Sequence, residues 1–141
     1  SQIASRIRTS GTRRASPGIL PACRAIGWYM ERYGCAQDSL NLVDFEQTGL
    51  FEAFEACRNV AASLGCQVAG SELIGLVPER AIRAAGRRVL QTAGRQDSPA
   101  AEEIEAAVRY LGLAQFNGFK PEERIIELTL ERSLQPGLSG D

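Results

Sequence analysis

From Ala25 to Leu42 hydrophobic and polar positions alternate with a period of two, and beyond Thr48 the period lengthens to that of a helix. In RAIGWYMERYG, Ile26, Trp28 and Met30 alternate with Ala25, Gly27 and Tyr29. Tyr33-Gly34 supplies a turn, and in AQDSLNLVDFE Leu40 and Leu42 alternate with Gln37, Ser39 and Asn41. The two runs predict a β-hairpin. The face that carries Gln37, Ser39 and Asn41 is polar but uncharged. A face turned only to bulk water usually carries Lys or Glu, whereas short amides and hydroxyls suit a surface that meets a ligand or another domain.

Either side of the hairpin the signals are helical. Ser1 can cap a short helix over SQIASRIRT, with Ile3, Ala4 and Ile7 on one side, and SGTRRASPGILP reads as a linker. Thr48 is placed to cap a helix whose Leu50, Phe54, Cys57, Ala61 and Leu64 form an i, i+4, i+7, i+11, i+14 stripe ended by Gly65. CQVAGSELIGLV, rich in Val, Ile and Leu, predicts a further strand. Pro78, Ser98-Pro99 and Pro121 then open three helices, PERAIRAAGRRVLQT (ended by Gly94), AAEEIEAAVRYLG and PEERIIELTLE, the last with Ile125, Ile126 and Leu128 facing a core. Residues 1–132 are expected to form one domain and 133–141 a disordered tail.

The order helix, strand, strand, helix, strand and three helices is a split βαβ pattern without its first strand. The fold class expected is therefore α+β, a ferredoxin-like sheet lacking one strand and followed by extra C-terminal helices. In that arrangement the absent strand lies mid-sheet, so the chain reads as a fragment or as one whose sheet is completed from elsewhere.

Composition narrows the chemistry. A chain of 141 residues is long enough for a core without staples. No apolar run approaches the roughly 20 residues of a membrane helix and no signal-peptide pattern opens the chain, so a cytoplasmic protein is expected, although it begins without Met. The net charge of −1 hides a basic start, with five Arg and no acid in residues 1–25. Arg in a Ser/Thr/Gly linker is usually solvated, and the polar strand face lacks the aromatics and cations of a nucleic-acid surface, so no nucleic-acid partner is expected. Cys23, Cys35, Cys57 and Cys66 form no C-x-x-C pair and the chain has no His, so no zinc site is expected and the thiols are expected to be reduced. Without His, the Ser-His and Cys-His pairs are also excluded. Acid-base chemistry must rest on carboxylates or on another segment.

GSELIG, residues 70–75, has the glycine spacing of a phosphate loop, but Leu76-Val77 stand where that loop needs Lys and Ser or Thr. Gly70 and Gly75 suggest a bulge or a close backbone approach instead. Glu72, amid apolar residues, should face a cleft or pair with Arg, since an unpaired buried carboxylate costs several kcal/mol, at least about 3. Asp44 and Glu46 precede the Thr48 helix and favour its dipole. Trp28 and Tyr29 could stack on a heteroaromatic ligand, although packing is the commoner role.

IGWYMERYGCAQDSLNLVDFEQTGLFEAFEAC, VAGSELIGLVPERAI and FKPEERIIE, in this order, resemble the C-terminal subdomain of glutamate formiminotransferase, which is also the formiminotransferase portion of formiminotransferase-cyclodeaminase. The resemblance covers roughly residues 1–131. It implies a cytosolic transferase of histidine breakdown that moves the formimino group of N-formimino-L-glutamate to tetrahydrofolate as co-substrate, with two ferredoxin-like subdomains forming the folate cleft. It further implies that the catalytic His belongs to an N-terminal subdomain, the expected partner, so that no catalytic residue lies in this chain and the segment alone is inactive. Homo-oligomer formation is compatible with this reading. Gln37, Ser39, Asn41, Gly70 and Glu72 are the residues expected to line the substrate and folate cleft. The alternative is a non-catalytic ferredoxin-like module that binds a small molecule or mediates assembly. Two positions depart from the family pattern. Asp38 replaces an apolar residue on the Leu40 face, which predicts an edge position or a local partner for the acid, and Phe51 stands where many relatives have His.

Overall fold

The computed structural model describes residues 1–10 and 18–135. Most of the linker, with Arg13 and Arg14, and the tail from residue 136 lie outside the described residues. The chain divides into two compact units, Ser1–Val68 and Ala69–Asp141.

In the first unit, helix α1 (Gln2–Ile7) is capped as its sequence predicts, the Ser1 hydroxyl accepting the Ile3 N–H at 3.1 Å. Strands β1 (Cys23–Met30) and β2 (Cys35–Leu42) form the predicted antiparallel hairpin. They are joined through a 3₁₀ turn, Glu31–Tyr33, and Gly34, whose φ of 61° suits a residue without Cβ. Thr9 ties α1 to β1: its hydroxyl accepts the Cys23 N–H (2.8 Å) and lies 3.0 Å from the Leu20 and Cys23 carbonyl oxygens.

Helix α2 (Leu50–Ser63) begins two residues after Thr48 and ends as predicted, at Gly65 with φ 73°. Thr48 is not its cap. That side chain is buried and donates its hydroxyl to the Pro21 carbonyl, leaving Gly49 at the helix entry. Asp44 lies in the turn just before α2. Its carboxylate accepts from the Gln47 side chain (2.9 Å) and the Glu46 N–H (3.0 Å), which hold its pKa below the ordinary aspartate value and close the preceding turn. The buried stripe of α2 is Ala53, Ala56, Val60 and Ala61, rotated from the one expected, and Cys57 and Leu64 pack at its border. With Ile7, Leu20 and Cys23 these residues form the core, over which Ala25, Leu40 and Leu42 lie. Helices therefore cover the Leu40/Leu42 face of the hairpin.

Asp38 shares that covered face, opposite Gly27. In the two-stranded sheet β2 is an edge strand, so the edge position expected for Asp38 is met, while its Oδ1 is buried and has no hydrogen-bond partner among the described residues. Burial, followed by the charges of Asp38 and Cys23, pushes the Cys57 thiol up to about 12. Replacing an unsatisfied carboxylate by an apolar side chain removes a desolvation penalty. Asp38→Val is therefore expected to stabilise the chain by about 1–2 kcal/mol, read as a higher urea midpoint at unchanged m.

The second unit contains helices α3 (Glu79–Thr92), α4 (Ala100–Tyr110), α5 (Pro121–Arg124) and α6 (Ile126–Leu134). The first two start one residue after Pro78 and Pro99, and α5 starts at Pro121. The Glu127 carboxylate of α6 accepts the Glu79 N–H at 2.7 Å and so caps α3 from a distance. Ser133 and Leu134, assigned from sequence to a disordered tail, belong to α6.

The predicted third strand over 66–77 does not form. The Ser71 N–H donates to the Gly112 carbonyl (3.3 Å) and the Ser71 hydroxyl to that of Leu111, so this stretch is held by the turn after α4. Only Val77 makes a β-bridge, parallel to Ile125, through Val77 N–H to Arg124 O (2.9 Å) and Ile126 N–H to Val77 O (3.0 Å). That bridge also divides PEERIIELTLE into two helices, because Ile125 must be extended (φ −100°, ψ 124°) to pair. Ile125 is fully buried, as expected, while Ile126 and Leu128 are half-buried. The described architecture is thus α+β, a partial ferredoxin-like arrangement with a two-stranded sheet and additional C-terminal helices.

Candidate functional site

The hairpin register aligns Arg24 with Asn41, Ile26 with Ser39 and Trp28 with Gln37, all on the face away from the core. The three polar residues therefore share one surface, as the alternation predicts. None of them forms a side-chain hydrogen bond to another described residue, so their donors and acceptors are available to an incoming group. Their β1 neighbours were not anticipated there. Ile26 is 65% exposed and Trp28 44%, which sets two apolar side chains beside the neutral-polar row. Trp28 thus departs from the packing role expected of it, and Arg24 and Trp28 bring to this surface the cation and aromatic that β2 alone lacks. A planar heteroaromatic with amide-like edges could lie on the Trp28 and Ile26 side chains and exchange hydrogen bonds with Gln37 and Asn41.

In the second unit, Gly70 packs against the turn after α4. A Cβ there would come within 2.9 Å of Gln115 Cβ and 3.1 Å of the Gly112 carbonyl oxygen, so the close approach anticipated at this glycine is to the chain itself. Glu72, two residues on, lines a shallow cavity of about 170 Å³, and Gly70 does not. Glu72 Oε1 accepts from the Asn117 side-chain amide at 2.5 Å. The Arg124 guanidinium, which also borders the cavity, donates to the Gly75 carbonyl at 3.4 Å. Leu73 and the buried Leu113 supply apolar wall. Glu72 therefore faces a cleft, one of the two settings foreseen, with an amide rather than an Arg as its direct partner.

Asn117 and Arg124 escaped the sequence reading. Arg124 lies within FKPEERIIE, one of the stretches that carry the family resemblance, but nothing local to it reveals that the chain returns it to Glu72. Among the described residues no group of three or more His, Cys, Asp or Glu is arranged to hold a metal ion, and no helix is long and apolar enough to cross a membrane.

The formiminotransferase domain family model matches residues 1–131. Among curated proteins the chain is 40% identical over 126 residues to formimidoyltransferase-cyclodeaminase of Sus scrofa, covering 89% of this chain and 23% of that protein. It is 34% identical over 134 residues to the enzyme of the same name from Dictyostelium discoideum, covering 95% and 25%. Glutamate formimidoyltransferase of Streptococcus pyogenes serotype M1 matches at 42% over 69 residues, 49% of this chain and 23% of that protein. These are transferases by name. The chain belongs to the formiminotransferase domain family, and it spans about a quarter of the length of the curated relatives it matches.

Proposed function

We propose that this chain is the substrate- and folate-binding half of a cytosolic glutamate formiminotransferase. The reaction transfers the formimino group of N-formimino-L-glutamate to N5 of tetrahydrofolate, giving 5-formiminotetrahydrofolate and glutamate in histidine breakdown. The observation that carries the reading is the outer hairpin face in a chain of this family: Gln37, Ser39 and Asn41 have unengaged side chains beside exposed Trp28 and Ile26. That surface suits the pterin of the co-substrate, with the ring on the apolar row and its amide edge on the polar one. In the C-terminal unit Glu72 lines a cavity of its own, and Gly70, packed against Gln115 and Gly112, supports the stretch that carries it.

In this scheme the chain's contribution is positioning. Holding the two substrates together converts a bimolecular encounter into a unimolecular step and is the main source of rate. The attacking nitrogen must lose a proton, and a base supplied by the N-terminal formiminotransferase subdomain takes it, since the chain contains no His. The 141-residue chain by itself is then inactive.

The test is a formimino-transfer assay, with formiminoglutamate and tetrahydrofolate, on the chain alone and joined to its upstream half. The joined protein is expected to turn over and the chain alone is not. Asn41→Ala should lower kcat/KM by about tenfold, roughly 1.4 kcal/mol, with the fold retained. Turnover indifferent to the substitution removes the hairpin face from the site. A folded joined protein without turnover favours the non-catalytic module.

A further inference from the structure

Glu72 and Arg124 line one small cavity with opposite charges, yet they form no ion pair with each other. Each is held instead by a neutral group, Glu72 by the Asn117 amide and Arg124 by the Gly75 carbonyl. Gly75 and Gly118, at φ 76° and 71°, give the cavity rim backbone without Cβ atoms, and a Cβ built on either would meet nothing within 4 Å. The rim is therefore open on the side where side chains would otherwise stand at these two positions. At about 170 Å³ the space falls below the roughly 300 Å³ at which drug-sized pockets begin, which suits a small solute or the end of a larger one.

The geometry points to a ligand that is itself a zwitterion. We propose that the cavity binds N-formimino-L-glutamate, Glu72 pairing with the cationic formamidinium group and Arg124 with a carboxylate. The assignment of this particular ligand rests on the function proposed above. A formamidinium presents two N–H groups as guanidinium does, so it can engage a carboxylate through paired charge-assisted hydrogen bonds. Arg124 offers the same fork to the substrate's carboxylate. Glu72 also sets selectivity: the polyanionic glutamyl tail of a folate brings carboxylates without a compensating cation, and beside Glu72 that is repulsive. The cavity is thus a donor-substrate subsite, separate in chemistry from the face that suits a pterin.

The test compares N-formimino-L-glutamate with N-formyl-L-glutamate, which has the same shape but carries a neutral oxygen where the formimino group carries charged nitrogen. Titration of the 141-residue chain is followed at the Gly75 and Gly118 amide resonances. The formimino compound is expected to bind at least about tenfold more tightly, a difference of roughly 1.4 kcal/mol. Glu72→Gln should abolish that preference, and Arg124→Met should weaken both compounds about equally. Both side chains are on the surface of the unit, and circular dichroism checks that the variants fold. Equal affinity for the two compounds, absence of shifts at Gly75 and Gly118, or indifference to Arg124→Met overturns the assignment. The transfer assay separates this failure from that of the proposed function. Turnover with KM for formiminoglutamate unmoved by Arg124→Met overturns the cavity assignment alone. A wild type without turnover overturns the function, and the titration then decides the cavity by itself.

Discussion

Gly86→Ala is expected to destabilise the C-terminal unit by about 3 kcal/mol, although alanine is the better helix former by about 1 kcal/mol. The sign is decided by what the new methyl group meets. Helix α3 passes α4 so closely at this point that a Cβ on Gly86 would lie 1.6 Å from the carbonyl oxygen of Glu103 and 2.4 Å from its carbonyl carbon. These are backbone atoms of a helix, and no rotamer change can withdraw them. The helices must separate, and with them the seam of Ala81, Ile82, Ala85, Ile104 and Ala107, all buried. For a unit of this size a loss of about 3 kcal/mol corresponds to a Tm lower by roughly 12–24 °C. The functional consequence follows through the chain, because α4 runs directly into the turn that provides Leu113 and Asn117 to the Glu72 cavity. Gly86→Ala should therefore weaken ligand binding at that cavity while leaving the hairpin unit's amide exchange unchanged. An Ala variant as stable as the parent would show that the helices do not meet at this glycine.

What was legible in the sequence was what neighbouring residues decide among themselves. The Ser1 cap, the hairpin and the start of α5 at Pro121 each follow from a local period or one special residue. The errors share a different cause, a partner distant in the chain. Thr48 looks like a cap, but it is buried and the carbonyl of Pro21 claims its hydroxyl. CQVAGSELIGLV has the composition of a strand, but the turn at 111–115 and the α5–α6 junction take its hydrogen bonds. Ile125 sits in a helical period and is nevertheless extended because Val77 pairs with it. The candidate site divides along the same line. Gln37, Ser39 and Asn41 share a face by alternation alone, whereas Trp28 joins them only through the register, and Arg124 reaches the Glu72 cavity only through the return of the chain.

Glu103 is the second position at which one substitution should have a large effect. It is 3% exposed, within the α3–α4 seam, where an isolated carboxylate could not remain ionised. Burial alone would raise its pKa. The hydrogen bonds and charges of Arg87 (3.0 Å) and Arg83 (2.7 Å), which reach it from either side of Gly86, outweigh burial and hold the carboxyl below its ordinary value. A carboxyl with a folded pKa below its unfolded one contributes stability that is fully present above the unfolded value. That stability is lost as pH falls through the folded value, so the unit should weaken with acid below about pH 4 and be insensitive to this group near neutrality. Glu103→Ala removes the acceptor of two guanidinium groups and leaves a space in the seam, with an expected cost of about 3 kcal/mol at pH 7. Glu103→Gln retains the volume and an acceptor oxygen and should cost less, about 1–2 kcal/mol. Both variants should flatten the acid slope in urea unfolding between pH 3 and 5, estimated as roughly the window of carboxyl titration. Because both Arg side chains are partly exposed and can rehydrate, the effect of Glu103→Ala lies at the lower end for a broken buried pair. A parent protein whose stability is flat through that acid range would show that Glu103 is not ionised in the folded unit, and the two arginines would then have to be held by something other than its charge.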